Sequence, residues 1–179
     1  MISVPKAPYR CPPGPYERAC QVAHYLKNNK PKSKVLILDA NPDITSKKGL
    51  FTAAWNELYP GMVEHRPNAM VTKVDAATLT AKTEFEDVKA DVLNVLPPMK
   101  AGAVAGMAGL ATVDSRWCGV DFLTYESKAR KNIHVIGDAV SAALPKSGHM
   151  ATSQAKVCAA AVIELMQGNQ PDQNPTIAN

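Results

Sequence analysis

The chain has 179 residues and no Cys-x-x-Cys pair. Its four cysteines, Cys11, Cys20, Cys118 and Cys158, are widely spaced, and His24, His65, His134 and His149 fall at no zinc-finger spacing. This argues against a structural zinc site and against a disulfide scaffold, while one long-range disulfide stays open. No apolar run approaches the ~20 residues needed to cross a bilayer. The opening residues, Met1-Ile2-Ser3-Val4-Pro5-Lys6, have no basic leader and no apolar h-region, so no secretory signal is read there. Aromatics make up only 6% of the chain, and the lysines behind the net charge of +4 are scattered. That pattern describes solvated faces and argues against a nucleic-acid stripe. There is no internal repeat and no low-complexity tract. What is present is ordinary for a globular protein: 46% hydrophobic and 20% charged residues. The length suffices for one domain with a real core, or one domain plus part of another.

The least generic stretch is Tyr9-Arg10-Cys11-Pro12-Pro13-Gly14-Pro15-Tyr16-Glu17-Arg18. Each proline fixes φ and biases the residue before it towards extended geometry, so Cys11 is expected on a stiff, extended loop. Ile2 to Pro5 reads as the end of a buried strand. Tyr16 to Lys27 reads as a helix with Ala19, Val22, Ala23 and Leu26 on one face, its start marked by Gly14 and Pro15. Lys34 to Asp39 is a continuous apolar run closed by an acid, as in a parallel strand covered on both faces. Together these make a βαβ unit, and its strand-to-helix junction is where such units bind ligands. The Gly-x-Gly-x-x-Gly turn of dinucleotide binding is missing, however, and prolines offer no amides to a pyrophosphate. Asp39 is therefore read as a strand-end residue. The Cys11 loop itself is either a reactive site or a rigid surface turn.

Further along, Lys48 to Leu58 is predicted as a helix and Met62 to Glu64 as a short strand. Met70 to Val74 and Leu79 to Thr83 read as hairpin strands, with Thr83 to Phe85 as an extension of the second. Asp91 to Leu96 reads as a buried strand stopped by Pro97-Pro98. The fold class is α/β: a Rossmann-like, three-layer domain of the nucleotide-binding type with a β-meander insert, over 1–98. A second part, 99–167, holds a short helix at Ala101 to Ala108, a strand over Asn132 to Ile136 ending in Gly137-Asp138-Ala139, and a long helix from Met150 to Met166. The polar stretch 168–179 reads as a flexible tail.

Two sets of residues could carry chemistry. Cys11 and Cys118 both lie in irregular, Pro- or Gly-flanked sequence with an arginine nearby, Arg10 and Arg116. Cys20 and Cys158 sit among helical apolar residues and read as small core side chains. Gly137-Asp138-Ala139, followed by Pro145-Lys146-Ser147-Gly148 and a helix, is the second set. Gly-Asp is also a common turn, and Lys146, Ser147 and Gly148 are equally readable as a loop lysine and plain helix-start residues. A helix N-terminus beside Lys146 would favour negative charge on a bound group. His24 and His149 read as surface histidines.

These motifs, together with Trp117-Cys118-Gly119-Val120 and His134-Val135-Ile136, resemble the flavoprotein subunit of flavocytochrome c sulfide dehydrogenase, a glutathione-reductase-like flavoprotein family. The resemblance runs from about Val4 to Gly168. It implies that Cys11 and Cys118 form a redox-active disulfide attacked by sulfide. It also implies that FAD is held by Gly137, Asp138 and Ala139 with Lys146, Ser147 and Gly148 near its ring. Electrons would pass to a cytochrome c subunit, in the periplasm. The family's N-terminal FAD-binding βαβ unit has no counterpart here. The second part is therefore expected to be an incomplete piece of the FAD domain, and the chain a truncated one that is inactive alone. The alternative is a non-catalytic α/β module that self-associates as a homo-oligomer or binds a partner.

Overall fold

The computed structural model describes residues 1–177. The chain forms two compact units, Met1–Pro98 and a second beginning at Met99.

The first unit is built on a parallel sheet. Its elements are β1 (Ile2–Val4), α1 (Gly14–Asn29), β2 (Val35–Asp39), α2 (Lys48–Leu58) and β3 (Val63–Arg66). The strands lie in the order β1-β2-β3, with Ile2 opposite Ile37 and Val35 opposite Val63. On the other side of β1, Asn94 adds a parallel bridge to Ile2. The Ser3 amide donates to the Asn94 carbonyl at 2.9 Å, and the Asn94 amide to the Met1 carbonyl at 2.9 Å. The spatial order is thus β3, β2, β1 and then the Asn94 segment, the order of a Rossmann half. Alternate residues of β2 point to opposite faces. Leu38 packs with Ala69, Ala81 and Val88 of the inserted segment. Asp39 instead meets Tyr16 of α1 on the helix-covered face. There Tyr16 lies against Phe51 and Trp55 of α2. The insert is an antiparallel meander of β4 (Lys73–Asp75), β5 (Thr80–Lys82) and β6 (Asp87–Lys89). Helices, sheet and meander make the three layers.

Several expectations need adjusting. α1 begins at Gly14 and runs to Asn29, and Val22, expected on its buried face, is exposed. The two hairpin strands are shorter than predicted. Thr83 to Phe85 is a turn, because the Thr83 hydroxyl accepts the amides of Phe85 and Glu86. Strand β6 was not foreseen: between Asp87 and Lys89 only Val88 is apolar. The predicted strand Asp91–Leu96 reduces to the bridge at Asn94. Beyond it the ladder is replaced by a side chain, with the Leu96 amide donating to the Ser3 hydroxyl at 2.9 Å.

The second unit holds α3 (Ala103–Met107) and α4 (Gly148–Met166), with isolated bridges between them instead of a sheet. No strand forms at Asn132 to Ile136. Asn132 takes a left-handed φ of 61°, and only His134 bridges, to Glu126. A 3-10 turn, Gly137–Ala139, follows. One cluster joins Ala101, Ala105, Leu110, Trp117 and Cys118; another joins Val120, Tyr125, Val140 and Val157. After α4, Pro171 is buried and Ile177 packs on the second cluster. The last two residues of the expected tail lie outside the described residues.

Candidate functional site

Cys11 is exposed and, in place of the extended geometry expected before a proline, has a left-handed φ of 55°. For a residue with a side chain that conformation costs about 1–3 kcal/mol and persists only when the surroundings fix it. The fixing contacts are on both sides. The Gly14 amide donates to the Cys11 carbonyl at 2.8 Å, closing a turn over the two prolines. Pro13 then caps α1, its carbonyl accepting the amides of Tyr16 and Glu17. Gly14 gives the thiol its room: a Cβ there would come within 3.1 Å of the Cys11 Sγ. Upstream, Asn41 clasps the segment leaving β1. Its Nδ2 donates to the Pro5 carbonyl at 3.0 Å and its Oδ1 accepts the Ala7 amide at 2.9 Å.

Beneath the turn lies a buried polar network that the sequence did not announce. The Asp39 carboxylate is fully enclosed. One oxygen accepts from the amide and Nδ2 of Asn41, at 2.9 and 2.8 Å. The other accepts the Tyr16 hydroxyl at 2.7 Å and His65 Nε2 at 2.9 Å. All four acceptor positions are filled, so the acid has none left for a ribose, in keeping with its reading as a strand-end residue. The Tyr16 oxygen receives the Thr45 amide at 3.2 Å. Thr45 Oγ1 meets the Tyr9 hydroxyl at 2.5 Å, and that hydroxyl also reaches the Pro12 carbonyl at 3.1 Å. Burial raises both tyrosines above the ordinary phenol range, Tyr16 most strongly, so each stays a donor. Tyr9 and Tyr16 flank Cys11 inside the motif, which hints at a shared role; apart from Pro12, their partners lie 23 to 36 positions away.

In the second unit the structure brings the other predicted residues together. The Cys118 amide donates to the Ala139 carbonyl at 2.9 Å, and the Ser141 amide to the Cys118 carbonyl at 2.8 Å. The Trp-Cys-Gly-Val and Gly-Asp-Ala motifs therefore share one backbone pairing. Lys146 is buried, and its ammonium donates to the carbonyls of Asp138 and Val140 at 2.8 and 2.7 Å. It also lies 4.0 Å from the centre of the Trp117 ring, with the Arg116 guanidinium at 5.1 Å. Burial lowers the Lys146 pKa, with Asp138 opposing; burial raises that of the enclosed Cys118 thiol, with Lys146 opposing. Arg116 is directed to the Met99 carbonyl at 3.0 and 2.6 Å. All four cysteines are free thiols in the structure.

Gly137 has φ 73°, and a Cβ there would lie 3.3 Å from Ala151 Cβ, so only glycine lets this turn close on α4. Its amide is held by the buried Gln154 of α4 at 2.7 Å. Ser147 caps α4 by accepting the Met150 amide at 3.1 Å, and Gly148 and His149 of the first turn are exposed. A glycine turn, a partly exposed Asp138 and an accessible helix N-terminus thus lie together, and a helix N-terminus favours negative charge. Gln154 and Trp117 were the residues sequence reasoning missed. The Trp117 indole N–H is buried without a hydrogen-bond partner among the described residues.

Residues 1–97 match the family described as sulfide dehydrogenase (flavocytochrome c) flavoprotein chain, central. Among solved structures, a chain of the Tetrahymena thermophila mitochondrial ATP synthase has a similar fold. Its TM-score is 0.73 at 20% identity, over 96% of this chain and 44% of that one. The HOCl-induced flavoprotein disulfide reductase RclA from Escherichia coli, solved as a Cu(II) complex, gives 0.60 at 19% identity, over 95% of this chain and 36% of that one. The chain thus spans less than half the length of these structures, and at such identities the likeness is one of fold. The family match covers more than half of the chain and takes in the Cys11 turn, the Asp39 network and the bridge at Asn94. The chain belongs to the family of sulfide dehydrogenase (flavocytochrome c) flavoproteins, of which it carries the central region.

Proposed function

We propose that this chain is part of a sulfide-oxidising, FAD-dependent oxidoreductase of the periplasm, in which Cys11 and Cys118 form a redox-active disulfide and electrons leave for a cytochrome c subunit. The observation that carries the proposal is the family match over residues 1–97, which includes an exposed Cys11 held in a strained turn. Cys11 is the accessible sulfur and Cys118 the enclosed one. A hydrosulfide ion therefore attacks the Cys11 sulfur. A new sulfur–sulfur bond forms, leaving a persulfide on Cys11. The bond to Cys118 breaks, and its electron pair departs on Cys118 as a thiolate. The positive charge of Lys146 stabilises that thiolate within its buried setting. FAD, where bound, supplies the acceptor for the electron pair and its release one electron at a time. Gly137, Asp138, Ala139, Ser147 and Gly148 would hold it. Lys146 contributes charge more than direct contact, because two of its donors are committed to carbonyls.

Thiol titration tests the disulfide. In air-oxidised, denatured chain two of the four cysteines should react, and all four after reduction. Cys11→Ser and Cys118→Ser should each leave three reactive thiols in both states. Four reactive thiols in the oxidised wild type would sink the disulfide. The flavin is tested by the visible spectrum after incubation with FAD and removal of the excess. A retained band bleached by sulfide in the wild type, and unbleached in Cys11→Ser, would overturn the expectation that this chain is inactive alone.

A second reading, a non-catalytic module that self-associates or binds a partner, draws on the exposed apolar side chains Val104, Met107 and Met166. It predicts a colourless protein whose sedimentation depends on concentration.

A further inference from the structure

We propose that Tyr9 is a positioning residue for Cys11: its hydroxyl ends a part-buried hydrogen-bonded chain and holds the Pro12 carbonyl, fixing the left-handed turn that presents the thiol. Calling Cys11 a reacting group rests on the function proposed above; the coupling itself rests on geometry.

The protons of the network can be assigned by counting. Asp39 is an acceptor, so Tyr16 and His65 Nε2 donate to it. The Tyr16 proton is thereby used, and its oxygen accepts the Thr45 amide. Pro12 offers only a carbonyl, so Tyr9 donates to it. The Tyr9 proton is then used, and the remaining contact, at 2.5 Å, requires the Thr45 hydroxyl to donate to the Tyr9 oxygen. Every donor has one acceptor, and the order runs one way, from Thr45 through Tyr9 to Pro12. Neither Pro12 nor Pro13 has an amide that could tie the turn down by itself. Within the turn the tie is the Gly14 amide on the Cys11 carbonyl. Tyr9 supplies a second tie from the core, and Thr45 orients it from the loop after β2. Loss of the Tyr9 hydroxyl takes the side-chain donor from the Pro12 carbonyl, leaves the Thr45 hydroxyl with only its 3.4 Å contact to the Tyr16 hydroxyl, and frees the residue that follows Cys11.

The test is amide hydrogen exchange of the 179-residue chain by NMR, with 13C-labelled cysteine reporting the Cys11 backbone. In Tyr9→Phe the ring stays and only the hydroxyl goes. Exchange at Gly14 should quicken about fivefold, the factor matching one hydrogen bond's net worth. The Cys11 Cα shift should leave its left-handed position, while exchange at Ile37 in the sheet centre stays unchanged. Thr45→Val should do the same, and Thr45→Ser, which keeps the hydroxyl, should restore wild-type values. Unchanged Gly14 exchange and Cys11 shift in Tyr9→Phe would overturn the proposal. So would equal acceleration at Gly14 and Ile37, since Tyr9 would then be supporting only the fold. If the coupling is found but all four wild-type thiols stay free under oxidation, positioning stands and the disulfide falls. If the disulfide forms and Gly14 does not respond, the reverse holds.

Discussion

Asp39 accepts four hydrogen bonds and has no contact with solvent, which makes it the least replaceable side chain of the first unit. In Asp39→Asn one oxygen becomes an amino group. Turned towards Asn41 that group faces two obligate donors; turned towards Tyr16 and His65 it is accepted only if His65 changes tautomer or the Tyr16 hydroxyl turns away. A buried donor left facing donors costs about 3 kcal/mol. The urea midpoint of the first unit, followed by Trp55 fluorescence, should fall accordingly; an unchanged midpoint would refute the assignment. Cys118 makes a pH prediction. Burial raises its thiol, so the folded chain keeps a proton that the unfolded chain gives up. Its contribution is complete below the ordinary thiol range and is lost as pH climbs towards the folded value. Cys158 acts in the same direction. Lys146 acts oppositely, since burial lowers its pKa and the folded chain gives up that proton first. Melting temperature against alkaline pH should therefore fall less steeply in Cys118→Ala than in wild type. Parallel curves would count against this account.

At the scale of elements, α4 is held at its start by two side chains with different effects. Ser147→Ala removes the cap on Met150 and should cost about 1 kcal/mol. Gln154→Leu leaves the Gly137 amide without its acceptor, a penalty of about 1–3 kcal/mol. Thermal unfolding should rank Gln154→Leu at or below Ser147→Ala, and the amide of Gly137 should lose exchange protection only in the former. What was legible in the sequence follows the same divide. Helix α2 was read at Lys48–Leu58, and the Pro60-Gly61 pair that stops it is a local signal. Strand β2 was read from its apolar run. Strand β6 escaped because one inward valine between charges gives no period. Asn132 to Ile136 deceived because an apolar run was read as a strand where a left-handed asparagine breaks it. Cys11 and Cys118 were chosen from their surroundings in sequence. The network under Cys11 was not legible, because the bonds that tie Tyr9, Tyr16, Asp39, Thr45 and His65 together join residues 23 to 36 positions apart, and nothing local marks Thr45 or His65 as the partner.

The whole molecule is two units, each with its own apolar clusters. Between them Pro97, Pro98 and Lys100 are exposed and belong to no helix or strand. Backbone of that kind is cut first by proteases. Brief trypsin treatment should cleave after Lys100 ahead of the other lysines and arginines, giving two fragments by mass spectrometry. Early cleavage inside β2 or α4 instead would argue against this division.

The placing of β1 has a consequence for how the protein is made. It is the first strand of its unit to be synthesised, yet its two neighbours are β2 and Asn94, with the meander in between. Until Asn94 has left the ribosome, the Ser3 amide and the Met1 carbonyl face no partner on that edge. An open strand edge is a template for the wrong strand, and pairing across so long a stretch of chain is slow. The nascent chain is therefore most exposed to mispairing while the meander is being translated.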